Sequence, residues 1–185
     1  MDVNEASGVI LNNSLHDYGN FYGGKQEQLP LGVGQLYNNI RFPLLNIDDG
    51  VYDTVEGLVY VLTHECDIDR NNSRPFNDSA VIVYVIPLES CIEQLASLPE
   101  QQFRGFIENL AKDNVNRVSF FPAIDCFLPN GGVIYLNQLA HTHVSFFDNA
   151  ERVQTLTSNG LRIIDYKITN HLLRPKSVAL PLSRF

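Results

Sequence analysis

The sequence predicts an α+β fold, mainly β: a partly open antiparallel β-barrel with a two-helix insertion and a C-terminal helix. Three observations predict it. Short runs rich in β-branched and aromatic residues, such as 57–63 and 80–87, are bounded by Asn, Gly, Asp and Pro, the punctuation of strands. Between them Phe103, Phe106, Ile107 and Leu110 fall at i, i+3, i+4 and i+7, one stripe of an amphipathic helix. Leu161, Ile164, Ile168 and Leu172 repeat that period near the end of the chain.

The 185 residues, 44% hydrophobic, suffice for one domain with a core that needs no covalent staples. A net charge of -8 and a pI near 5.0 exclude a broad electrostatic footprint for DNA, because nonspecific affinity comes from Lys and Arg neutralising phosphates. The longest apolar runs fall far short of the ~20 residues that span a bilayer. The opening residues Met1 to Glu5 lack the positive region and apolar stretch of a signal peptide, so a cytoplasmic location and reduced Cys66, Cys91 and Cys126 are expected.

Residues 1–31, rich in Asn and Gly, read as an N-terminal arm without regular structure, pinned by Tyr18, Phe21 and Tyr22 against the barrel or a partner. The barrel domain is expected over 32–176. Its first strand is 32–43, its second 57–63, apolar on both faces and therefore central, and its third 80–87, ended by Pro87. The insertion, at about 89–112, holds one helix over Glu89 to Ala96 and a second announced by Ser97 as N-cap, Pro99 and Glu100. Strands follow at 117–124 and 133–136, joined through Asn130, Gly131 and Gly132, with looser alternation over 139–147 and a short strand at 152–156. Thr157 and Ser158 cap the last helix, and 177–185 is an apolar tail.

The sharpest chemistry lies where the second strand ends: His64, Glu65, Cys66, Asp67 and Asp69, followed by Arg70 and Arg74. RNA cleavage needs a base near the 2′-hydroxyl, an acid for the leaving oxygen and a cation over the phosphate. His64 and Asp67 would move protons, Arg70 or Arg74 would supply the cation, and Cys66 would be a nucleophile if His64 paired with it. A zinc reading gathers Cys66, Cys126, His141 and His143, with His64 as a replacement. Asp67, Asp69, Asn71, Ser73 and Asp78 follow a calcium loop's order without its central Gly, Asn72 standing there; as plain turn formers they would bond nearby amides instead.

The strand from Leu58 to Cys66 with its polar turn, the strand from Val81 to Pro87, the segment Gly131 to His141 and the capped C-terminal helix resemble the order of elements in the PemK/MazF toxins. That resemblance spans about 32–175 and implies an SH3-like small barrel that dimerises and, in active members, cleaves RNA. The family's Gly-x-x-Arg-Pro signal is replaced here by Asp53 to Gly57, which holds no arginine. The expectation is therefore a barrel of toxin–antitoxin or phage-defence type acting as a non-catalytic protein-interaction module, with a protein partner or a homodimer and no cofactor. The alternatives are an endoribonuclease that takes RNA at His64 and Asp67, and a zinc-binding structural protein.

Overall fold

A computed structural model describes residues 1–46, 49–71, 75 and 77–172. The expected tail 177–185 and Arg74 lie outside the described residues. Six strands form one antiparallel sheet in the order β4-β5-β3-β2-β1-β6: β1 (Gln35–Leu45), β2 (Tyr52–Val61), β3 (Ser79–Pro87), β4 (Val118–Phe121), β5 (Gly132–His143) and β6 (Glu151–Thr155). The α+β class is as expected. The sheet curls, so that the Thr142 hydroxyl on β5 donates to the Arg41 carbonyl on β1 at 2.7 Å, but it does not close: β4 and β6 remain edges.

The stretch that was expected to be central is so. β2 lies between β1 and β3, and Leu58, Val59, Tyr60 and Val61 are all buried because both faces of the sheet are covered. On one face Leu36, Leu58, Tyr60, Val83, Ile134 and Val153 meet the C-terminal helix α5 (Ser158–Leu172) through Ile163 and Ile164. Tyr37, Ile40, Val59, Val61, Ile82 and Phe147 make the core of the other face. The helices α3 (Leu88–Leu95) and α4 (Glu100–Ala111) pack on β4 and the start of β5 through Leu88, Phe103, Ile107, Val118 and Phe120, so the stripe read at 103–110 is the docking face of α4.

Three expectations change. Residues 3–13 are not loop but α1 (Val3–Asn13), capped by Asp2, whose carboxylate accepts from the Glu5 amide at 2.8 Å, and docked on α4 through Ala6 and Ile10. Asp2-x-x-Glu5 is a capping-box spacing, and two buried apolar side chains, Ala6 and Ile10, beside a buried Ser7 are too few to give a readable period. Ser97 is not a cap: α4 starts at Glu100 with Pro99 at the N-cap position, and its first free amides turn back on the Pro99 carbonyl. The segments 133–136 and 139–143 belong to one strand, β5, whose middle bulges between its pairings with Val83 and Val85, and Val144–Phe147 is a separate 3-10 turn.

The arm after α1 closes an edge. Gly23 and Gly24 exchange backbone bonds with Thr155 on β6, both at 2.8 Å, which satisfies groups an edge strand would otherwise expose. Its three aromatics pin it as expected, here against the chain's own core: Phe21 is fully buried, Tyr18 meets the ring of Phe120 edge-on, and the Tyr22 hydroxyl donates to the Pro122 carbonyl at 2.9 Å.

Candidate functional site, a cleft at the end of β2

β2 stops because a side chain takes over its ladder. Leu62 still bonds backbone to backbone with Val81, but the next acceptor for the Val81 amide is the Thr63 hydroxyl at 2.7 Å, which frees the chain to turn away from the sheet. His64 then caps the single-turn helix α2 (Glu65–Ile68), its Nδ1 accepting from the Cys66 amide at 3.4 Å. Ile68 drives α2 onto the sheet, buried beside Val61 and Val144. Beyond it Asp69 folds the chain back, its carboxylate accepting from the Asn71 amide at 2.9 Å. That is the turn-forming alternative to a calcium loop; Ser73 of the calcium order lies outside the described residues.

This turn forms one wall of a cleft of about 360 Å³. Its floor is apolar: Tyr37, Ile68, Val144 and Phe147. Among the described residues its rim carries three carboxylates, Glu65, Asp69 and Asp148, and one guanidinium, Arg70. That guanidinium is taken: one Arg70 nitrogen lies 2.9 and 3.1 Å from the two oxygens of Asp148. Of the two cations expected over a phosphate, Arg70 is thus neutralised and Arg74 lies outside the described residues; the remaining described rim charge repels a phosphate.

The opposite wall, Pro30 and Leu31, is held by a network rooted in β1 and β6. Arg152 donates to the Tyr37 hydroxyl at 2.8 Å and to the carbonyls of Gln26 and Leu29 at 2.6 and 2.9 Å. The Tyr37 hydroxyl donates to Gln35, which accepts the Gly32 amide as well. Burial pushes the Tyr37 hydroxyl above its ordinary pKa, partly offset by Arg152, so it stays a protonated donor.

Of the expected catalytic residues, the turn brings His64, Cys66, Asp67 and Arg70 into one short segment. His64 Nδ1 lies 3.4 Å from a Glu65 oxygen, and donor atoms of His64, Glu65 and Cys66 lie within 4.8 Å of one another. The expected zinc set does not assemble: no three of Cys66, Cys126, His141 and His143 converge among the described residues. Cys126 sits in a left-handed turn (φ 65°) before β5 begins, while His141 and His143 stand at the other end of β5. Nine steps of strand separate Gly132 from His141, roughly 30 Å at ~3.3 Å per residue. The two histidines have local partners instead: His143 caps the turn at Val144–Phe147, accepting from the Ser145 amide at 3.2 Å, and His141 meets the Ser79 hydroxyl at 3.5 Å. Cys91, expected to be a small core residue, is half-buried, and burial lifts its thiol to about 11.

A second polar cluster was missed from sequence. Lys167 of α5 is only 2% exposed, yet it is an ammonium held by the carboxylate and carbonyl of Asp113 and by the Val115 carbonyl. The other Asp113 oxygen lies 3.3 Å from His16 Nε2. Asp113 occupies the left-handed position (φ 60°) that ends α4, with the Asp113 amide bonded to Leu110 and the Asn114 amide to Asn109, a place where glycine is usual. An aspartate there accepts backbone strain in return for a carboxylate aimed at Lys167. The signal was Lys167 itself, three and four residues after Ile164 and Ile163 on the buried face.

No helix among the described residues is long and apolar enough to cross a membrane. No protein-family model, curated protein or solved structure matches the chain.

Proposed function

We propose that this chain is a non-catalytic protein-interaction module, cytoplasmic and PemK/MazF-like in its order of elements, whose cleft at the end of β2 receives a cationic, apolar-anchored segment of a protein partner. The observation that carries this reading is the cleft itself: an apolar floor ringed by Glu65, Asp69 and Asp148, with Arg70 held by one of them. A lysine or arginine beside an apolar side chain satisfies both features at once, whereas RNA would bring phosphates to a rim of like charge. The absent arginine at 53–57 points the same way. A toxin–antitoxin or phage-defence setting is what the resemblance adds.

The test is a pull-down from host extract with the tagged full chain, run beside the folded variant Asp148→Lys, together with incubation of the purified chain with RNA. The expected result is a stoichiometric protein partner held by the wild type and lost by the variant, with the RNA intact. Recovery of no stoichiometric partner would overturn the proposal. So would RNA cleavage that disappears in His64→Ala and Asp67→Ala, which would establish the endoribonuclease alternative.

A further inference from the structure

We propose that His64, Glu65 and Cys66 form a zinc site on the rim of the cleft. An imidazole, a carboxylate and a thiol each offer a donor atom within 4.8 Å of the other two. The His64 Nδ1 to Glu65 Oε2 separation is 3.4 Å. Two ligands about 2.0–2.1 Å from a tetrahedral zinc stand ~3.3 Å apart, so this edge has the spacing the ion needs. The donor set selects the same metal, since thiolate and imidazole favour zinc over magnesium or calcium.

A second, independent feature holds the carboxylate in place. A Cβ added at Gly32 would sit 2.9 Å from the Glu65 Cβ and 3.1 Å from Oε2, so the chain before β1 lies directly against Glu65 only because residue 32 has no side chain. Gly32 is fixed in turn through Gln35, Tyr37 and Arg152. Close packing of this kind limits how far residue 65 can move. His64 and Cys66 are exposed, so an ion reaches them from solvent, and three protein donors leave one tetrahedral position for water. On binding, Cys66 passes its thiol proton to solvent and the long bond from its amide to His64 is given up, so affinity rises with pH.

This site does not rest on the partner reading, and its test needs no partner. Cobalt(II) is titrated into the full reduced chain without chelators. The expected result is one cobalt per chain, a thiolate-to-cobalt charge-transfer band in the near ultraviolet, and displacement by zinc. Cys66→Ala abolishes the band and Cys126→Ala leaves it. His64→Ala weakens binding, and Gly32→Ala, with its circular dichroism unchanged, weakens it about tenfold by displacing residue 65, whose Cβ and backbone nitrogen lie 2.9 and 3.0 Å from the added methyl. No band in the wild type, a band that survives Cys66→Ala or vanishes in Cys126→Ala, or unchanged affinity in His64→Ala would each overturn the site. Unchanged affinity in Gly32→Ala would overturn the role given to the glycine.

Discussion

Two ion clusters of similar composition sit on this protein in opposite surroundings. At the cleft, Arg70 and Asp148 are each about half exposed, as are His64 and Glu65. Under the helices, Lys167, Asp113 and His16 are 2%, 14% and 20% exposed. Charges in water are screened, cost little to separate and re-form with a new partner, which suits a surface that recognises. Charges out of water cannot be parted cheaply, and this trio joins three segments far apart in sequence: the arm before β1, the end of α4 and the middle of α5. Similar residue types therefore form an exposed, exchangeable cluster in one place and a buried tie between distant segments in the other.

The largest expected effect tests the buried side of that division. Lys167→Met keeps the length of the side chain and removes its charge, leaving the Asp113 carboxylate without its ammonium, with His16 beside its other oxygen, and the Val115 carbonyl without its donor. Breaking a buried pair from one side costs about 3–5 kcal/mol. Urea unfolding followed by circular dichroism should show a loss of that order in the midpoint free energy with the slope unchanged. A loss below about 1 kcal/mol would mean that the trio is as dispensable as a surface pair and would erase the contrast.

A middle effect is expected where the two regimes meet. Arg152 is a half-buried cation that bonds no carboxylate; it spends three bonds on the Tyr37 hydroxyl and on the carbonyls of Gln26 and Leu29, and lies 5.3 Å from the centre of the Tyr37 ring. Hydrogen bonds from a charged donor contribute about 1.5–3 kcal/mol each at most, and here water replaces part of what is lost. Arg152→Ala should cost about 2 kcal/mol in the same unfolding experiment. Amide exchange of Gly32, read by NMR, should rise selectively as the Pro30–Leu31 wall loosens. A uniform rise across the sheet would show that Arg152 supports the whole fold and not the cleft.

How much of this was legible in the sequence follows from the range of the interactions. The strands and α4 were, because short β-branched and aromatic runs bounded by turn residues and an i, i+3, i+4, i+7 stripe are local patterns that burial then rewards. The turn at 63–69 was legible as a place, since an apolar run ending in His64, Glu65 and Cys66 marks a strand end. Its pairings were not: Arg70 meets Asp148, and Thr63 meets Val81, through contacts that only the sheet order creates. The zinc set failed for the same reason, because ligand types at plausible spacing say nothing of a strand, β5, that sets His141 at its far end from the turn holding Cys126. On α5 the stripe was read as 161, 164, 168 and 172. The buried face is Gly160, Ile163, Ile164 and Lys167, turned by about one residue, and a lysine on it conceals the period.

The smallest expected effect sharpens the exposed side. Arg70→Ala removes one member of a pair whose side chains are 53% and 49% exposed, so solvent screening leaves little to lose: the change in stability should stay within about 0.5 kcal/mol. Recognition should move more than folding does. Without the guanidinium, Asp148 is released and the rim carries three uncompensated carboxylates, so a cationic partner segment should associate faster, and the gain should vanish in high salt, where rim charges are screened. Stopped-flow binding at low and high ionic strength reads this directly. An association rate that falls on removing Arg70 would mean that the guanidinium itself contacts the partner, and the cleft would then be a site for an anion.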